Sequence, residues 1–299
     1  SEGQWLLGEE MKKFEENFAK FIGVKYCIAL SSGHHAIYLA LKALGIKGNV
    51  AVPSYTFKAT VAAILDVGAK PVLYDLIEVE ELKDLDTHIR VGIAGELSYH
   101  HFESKYLIDD ACQILGAVKN PTSDAQCWSF YPAKILGGLD DGGALTTNRQ
   151  DVYDYVRDAR NHFKETGKGW GGTYRMGNIR AAWLNIRLKD IDRILARRKE
   201  IAERYLRELK DLPIGLPNNQ EGRSWQDWIL QTEKRDQLYE FLRDNGIECM
   251  KNEYPFTPEY PKLPKTAKFE AETLRIPCNE SMTDDEVSLV IQKIKEFFK

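Results

Sequence analysis

NVAVPSYTFKATVAAILDVGAKPVLYDL, residues 49–76, places a helical segment between two short apolar runs. NVAVP and KPVLYDL are close to continuously apolar, as strands buried on both faces of a sheet are. Between them, TFKATVAAILDVG carries apolar residues at helical spacing and stops at Gly68. Strand, helix, strand in so short a stretch is the repeating unit of a parallel sheet covered by helices.

The same alternation extends in both directions. Upstream, EEMKKFEENFAKFIG spaces Met11, Phe14, Phe18 and Phe21 as a helix closed by Gly23. YCIAL then reads as a strand, and SSG leads into the helix HHAIYLALKAL, ended by Gly45. Downstream, beyond a less readable stretch, KYLID predicts a strand and DACQILGA a helix. From Ile191 the pattern changes. IDRILARRKEIAERYLRELKDL is a long charged amphipathic helix with Ile191, Leu195, Ile201, Tyr205 and Leu209 available for burial. KRDQLYEFLRDNG and IECMK read as helix then strand, and a capping box from Thr283 to Glu286 opens a final helix. The expectation is an α/β fold with a mostly parallel sheet in residues 1–190 and a smaller α+β domain in residues 191–299.

Bulk properties narrow the function classes. The chain has 299 residues, with 43% apolar and 29% charged, ordinary for a globular protein. A net charge of −4 gives no basic field for nucleic acid. No apolar run approaches the roughly 18 residues of a membrane span. The acidic opening SEGQWLLGEE is not expected to act as a signal peptide. Cysteines 27, 112, 127, 249 and 278 are odd in number and never paired as C-x-x-C, which suggests reduced thiols filling the core. The expectation is a cytoplasmic enzyme acting on small molecules.

Ligands of open α/β sheets bind at the C-terminal ends of the strands. Ser31-Ser32-Gly33 lies at such an end, where free N–H groups and the helix dipole suit a phosphate, although taken alone the motif reads first as an N-cap and turn. Asp109 and Asp110 end the strand KYLID: one is expected to cap the next helix, the other to hold a protonated ring nitrogen. Gln113, one helical turn on, would face the same ligand. Lys134 is alone in the otherwise uncharged WSFYPAKILGG, and apolar surroundings favour a neutral amine able to form a Schiff base with an aldehyde. Phosphate cradle, carboxylate and isolated lysine, in that order, point to pyridoxal 5′-phosphate.

Six segments together resemble the DegT/DnrJ/EryC1/StrS family of fold-type I, pyridoxal-phosphate-dependent aminotransferases, most of which act on nucleotide-linked keto-sugars. They are LSSGHHAIYLALKALGI, VPSYTFKATVAAILDVGAKPVLYDL, LIDDACQILGA, SFYPAKILGGLDDGGALTT, RNH and YRMGNIRAAWLNIRLKDID. The resemblance implies Lys134 as the Schiff-base lysine, Asp110 as partner of the pyridine nitrogen and Gln113 beside the ring hydroxyl. It implies Phe57 as the aromatic stacked on the ring, Ser129 as a phosphate ligand, and Ser32, Gly33 and His34 as the turn of backbone donors. Asn161 matches a residue that reaches the phosphate of a neighbouring subunit, which implies a homodimer. The partners implied are an amino-acid donor, expected to be glutamate, and a keto-sugar.

The sequence also departs from the family. His34 and His35 replace a threonine and an alanine, GGLDDGG is longer than the usual loop, and Thr173 stands for asparagine. His34 is expected either to donate to the phosphate from its ring or to matter only through its backbone amide. The segment between VLYDL and LIDD is compressed, so the chain reads as a shortened member. A cysteine desulfurase is a rival reading, but Ala133 rather than histidine precedes the lysine. A sugar dehydratase would carry histidine in place of Lys134, and a non-catalytic scaffold would not need Lys134, Asp110 and Gln113 together.

Overall fold

In a computed structural model, residues 5–76, 85–97, 104–219, 221–251, 256–257 and 259–299 are described. The chain begins with α1 (Glu9–Ile22), β1 (Tyr26–Leu30), α2 (Gly33–Ala43), β2 (Asn49–Pro53), α3 (Lys58–Asp66) and β3 (Lys70–Tyr74). Next come β4 (Thr87–Ile93), β5 (Glu96–Leu97), β6 (Tyr106–Asp110), β7 (Ala125–Ser129) and β8 (Gly143–Thr147). Helices α4 (Gln150–Ala159), α5 (Asn178–Lys189) and α6 (Ile191–Leu209) follow, then β9 (Trp228–Gln231), α7 (Arg235–Asp244), β10 (Met250–Lys251), α8 (Pro264–Glu272), β11 (Thr273–Ile276) and α9 (Asp284–Phe297).

The large sheet has the order β1-β8-β7-β6-β4-β2-β3, with β5 on β4. It is parallel from β3 through β7, and β8 runs antiparallel to both its neighbours. Successive strand residues feed opposite faces. In β1, Ile28 and Leu30 join the core under α2, α3 and α4, while Cys27 and Ala29 join the core under α1 and α5. Both faces are therefore covered, which is why these strands read as continuous apolar runs.

A third core forms around the three-stranded sheet β10-β11-β9 with α6, α7 and α9. Helix α6 serves two cores: Ile191 and Ile194 belong to the α1/α5 side, and Ile201, Ala202, Tyr205 and Leu209 to the small sheet. Ile194 is fully buried where Leu195 was expected, and Leu195 is partly so. The predicted capping box on α9 is present, with Glu286 N donating to Thr283 Oγ1 and Thr283 N donating to Glu286 Oε2.

Three local expectations need correction. DACQILGA is a series of turns, not a helix. Ile114 N bonds Ala111 O and Ala117 N bonds Ile114 O, and Gly116 sits at φ 91°, a left-handed value that ends any helix. IECMK supplies only the two residues of β10. The less readable stretch before KYLID contains β4, a central strand, THIRVGI. Its alternation was hidden by Arg90, whose charge is matched across the ladder by Asp109 on β6.

Candidate active site

The segment after β2, the carboxyl ends of β4, β6 and β7, the N-terminus of α2 and the small sheet enclose a cavity of about 600 Å3. Ser32, Gly33, His34, Phe57, Asp110, Gln113, Ser129 and Lys134 all line it. The sequence-predicted residues thus converge, with the exception of Asn161.

Asp110 is the last residue of β6 and is buried. It does not cap a helix. Its Oδ2 accepts from Thr60 Oγ1 at 2.6 Å, and its Oδ1 accepts from Cys112 N at 3.2 Å. Asp109 is no cap either. One residue earlier on the strand, it faces away, takes both Arg90 Nε (2.7 Å) and Nη2 (3.1 Å), and accepts from Ser123 Oγ. Gln113 reaches the cavity by a turn rather than by helix pitch. Its Oε1 accepts from Ala94 N at 3.1 Å, which leaves the amide N–H groups as its donors toward a ligand.

Ser32 caps α2, its hydroxyl accepting from His35 N at 3.1 Å, so the cap reading of SSG holds. The cap also leaves the cavity lined by the first residues of α2, whose N–H groups and dipole favour an anion. A Cβ on Gly33 would lie 2.7 Å from Cys112 Sγ and 3.0 Å from Ser129 Cβ. Only glycine allows this close approach. His34 turns its ring toward α3, with Nδ1 3.2 Å from Ala59 O and Nε2 3.0 Å from Asp66 Oδ2, so the backbone amide is what this residue offers. His35 is held by Ser31 Oγ (2.8 Å) and Ser32 Oγ (3.2 Å), and burial, then His34, pushes its pKa down.

Lys134 is half-buried, in a compact loop closed by Lys134 N to Tyr131 O and Gly138 N to Phe130 O. Its Nζ makes no ion pair with any described residue. Its surroundings are less apolar than expected: Asp110, Asp141 and Asp227 line the same cavity beside Phe57, Ile37 and Val91. Phe57, just before α3, lines the cavity and is 49% exposed.

Thr60, Asp227, Arg275 and Gln226 are among the lining residues that the sequence reading does not single out. Arg275 Nη1 lies 3.1 Å from Asp227 Oδ2. Cys112, read as core filler, lines the cavity, but burial and then the Asp110 charge push its thiol up, away from a nucleophilic thiolate. This argues against a cysteine-based reaction. Asn161, two residues past α4, accepts from Arg175 Nη1 at 3.1 Å and lines a different cavity, of about 490 Å3.

A family model, the DegT/DnrJ/EryC1/StrS aminotransferase family, matches residues 1–86 and 100–295. The chain belongs to this family. The aminotransferase is 31% identical to the erythromycin biosynthesis sensory transduction protein EryC1 of Saccharopolyspora erythraea, covering 98% of this chain and 91% of that protein. It is 30% identical to the dTDP-3-amino-3,6-dideoxy-alpha-D-galactopyranose transaminase of Aneurinibacillus thermoaerophilus, over 99% of this chain and 92% of the relative. Among solved structures, DesV of S. venezuelae, in complex with a ketimine intermediate, superposes with a TM-score of 0.92 at 28% identity, covering all of this chain and 91% of DesV. The alignment to EryC1 spans 335 positions, more than this chain's 299 residues, so the aminotransferase is a shortened member. Among the described residues, no helix is long and apolar enough to cross a membrane.

Proposed function

We propose that this aminotransferase uses pyridoxal 5′-phosphate to move an amino group from an amino acid, glutamate by expectation, to a nucleotide-linked keto-sugar. The observation that carries the reading is the convergence of Lys134, Asp110 and the N-terminus of α2 on one cavity. The residues fit the cofactor. Gly33 holds open a cradle that a Cβ would fill, and Ser129 adds a hydroxyl beside it. Phe57 brings an aromatic ring to the cavity lining, Gln113 an amide donor, and Asp110 a carboxylate braced by Thr60. The relatives named as transaminases of dTDP-linked sugars support the choice of acceptor.

Bound there, pyridoxal phosphate supplies an electron sink for the carbanion formed at the substrate carbon. Lys134 would hold the cofactor covalently through Nζ and, once freed by an incoming amine, would serve as the base and acid that carries a proton to and from the substrate carbon. Asp110 holds a proton on the ring nitrogen, which keeps the ring electron-accepting. Arg275, braced by Asp227, presents a guanidinium to an anionic group of either substrate. The shared-site homodimer implied by Asn161 is part of this proposal.

The test is mass spectrometry of products from a panel of nucleotide-linked 3-keto and 4-keto sugars, with glutamate and pyridoxal phosphate. An aminated sugar, absent with Lys134→Ala, is expected. Borohydride reduction and peptide mapping should place the cofactor on Lys134. A label on another lysine, or no aminated sugar and no half-reaction with glutamate, would overturn the reading.

A further inference from the structure

Lys134 must move its side chain during the reaction while its backbone stays still, yet it lies in a loop without regular structure. The backbone groups on either side of it need partners from elsewhere. Gln226 provides both. Its Nε2 donates to Ala133 O at 3.0 Å, and its Oε1 accepts from Ile135 N at 3.0 Å. One planar amide thus brackets the lysine as a neighbouring strand would, with a donor and an acceptor side by side that only Asn and Gln side chains carry.

Gln226 is itself fixed. It is buried, and its carbonyl accepts from Arg198 Nη1 at 3.1 Å. Arg198 Nε donates to Glu280 Oε2 at 3.0 Å, and Glu280 Oε1 accepts from Arg187 Nη2 at 2.8 Å. Arg187 Nη2 returns to the lysine loop, donating to Ile135 O at 3.2 Å. The preceding residue, Trp225, has φ 54°, a left-handed value that a bulky side chain adopts only when its surroundings enforce it. The next residue, Asp227, enters the cavity and pairs with Arg275 of the small sheet.

We infer that Gln226 is a positioning residue, which seats the backbone of Lys134 and ties its aim to the placement of the small sheet. This rests on the proposed role of Lys134. Removing the seat leaves the lysine present but misaimed, so the loss falls on the proton-transfer step rather than on binding.

The experiment compares wild type with Gln226→Met, which keeps bulk and removes both hydrogen bonds. Expected are a kcat about ten- to hundredfold lower, a KM for glutamate changed by no more than about threefold, and a shifted pH midpoint of the visible absorbance of the cofactor-loaded protein. In the cofactor-free protein, the Ile135 amide should exchange faster. Should Gln226→Met fail to fold, Gln226→Asn, whose amide is one methylene too short to span both groups, is judged by the same measures. A folded variant with wild-type kcat and midpoint, or a loss carried by KM alone, overturns the inference. So does an unchanged Ile135 exchange rate, whatever the activity. A wild-type chain that transfers no amino group would sink the functional reading instead, and the exchange measurement separates the two failures.

Discussion

Asp109 and Asp110 are adjacent in sequence, but a strand turns them to opposite sides, and their chemistry divides accordingly. Asp110 meets the cavity, whereas Asp109 is consumed by Arg90 and Ser123. Asp110→Asn should fold normally and bind some cofactor while losing most of the rate, because an amide cannot hold the ring proton. Asp109→Asn should do the reverse, lowering stability by about 3 kcal/mol through a broken buried pair while sparing the rate constant of the protein that remains folded. Parallel melting curves and kcat measurements check this, and exchanged phenotypes would shift the site by one residue. The sequence made these residues legible because Lys134, Asp110 and Gly33 each sit in a local pattern with a chemical reason. Thr60 and Gln226 had no such signal. Their roles come from where α3 and the segment before β9 are packed, and no local spacing encodes that.

At the scale of elements, helices with one apolar stripe and strands buried on both faces were legible, and elements defined by partners were not. Arg90 interrupts the apolar pattern of strand β4, and the turn at Ala111–Ala117 has helical apolar spacing without helical hydrogen bonds. Helix α8 is another case. Pro264 marks its start, but its N-cap, Leu263, has no capping side chain. Asp75, at the end of β3, does that work from the large sheet: it accepts from Lys265 N, Thr266 N and Thr266 Oγ1, each at 2.8 Å. Burial pushes the Asp75 carboxyl up, but the bonds from Thr266, Lys265 and Leu76 outweigh it and hold the group below its ordinary value. A carboxylate depressed in the folded state stabilises fully above its unfolded pKa, about 3.9, and loses that contribution as pH falls through the folded value. Asp75→Asn should therefore cost about 2 kcal/mol at pH 7, and the gap to wild type should close in strongly acid solution. Urea midpoints across that range test it; a gap that persists unchanged would show that packing, not the charge, holds α8.

For the whole molecule, the question is whether one chain completes the site. Asn161 does not line the cavity of Lys134; it lies beyond α4, in a separate cavity lined by both basic and acidic side chains, among them Lys12, Arg157, Glu15 and Glu165. On the proposed shared site, its amide would instead reach a phosphate held at the α2 of a second copy. Removing one hydrogen bond to a charged group costs about 1.5–3 kcal/mol, which is roughly a ten- to hundredfold loss of cofactor affinity. Asn161→Ala alone cannot tell this from a local effect, because Asn161 also accepts from its own Arg175. Mixing subunits can. In a heterodimer of Asn161→Ala and Lys134→Ala chains with shared sites, one site carries both changes and the other neither. About half the wild-type rate per heterodimer should then reappear, as two-fold symmetry requires. If each chain supplies its own Asn161, both sites stay defective. Both single variants would first be shown to be impaired at a fixed, limiting cofactor concentration, and subunit exchange verified by mass. Activity that then fails to recover would assign Asn161 to its own chain.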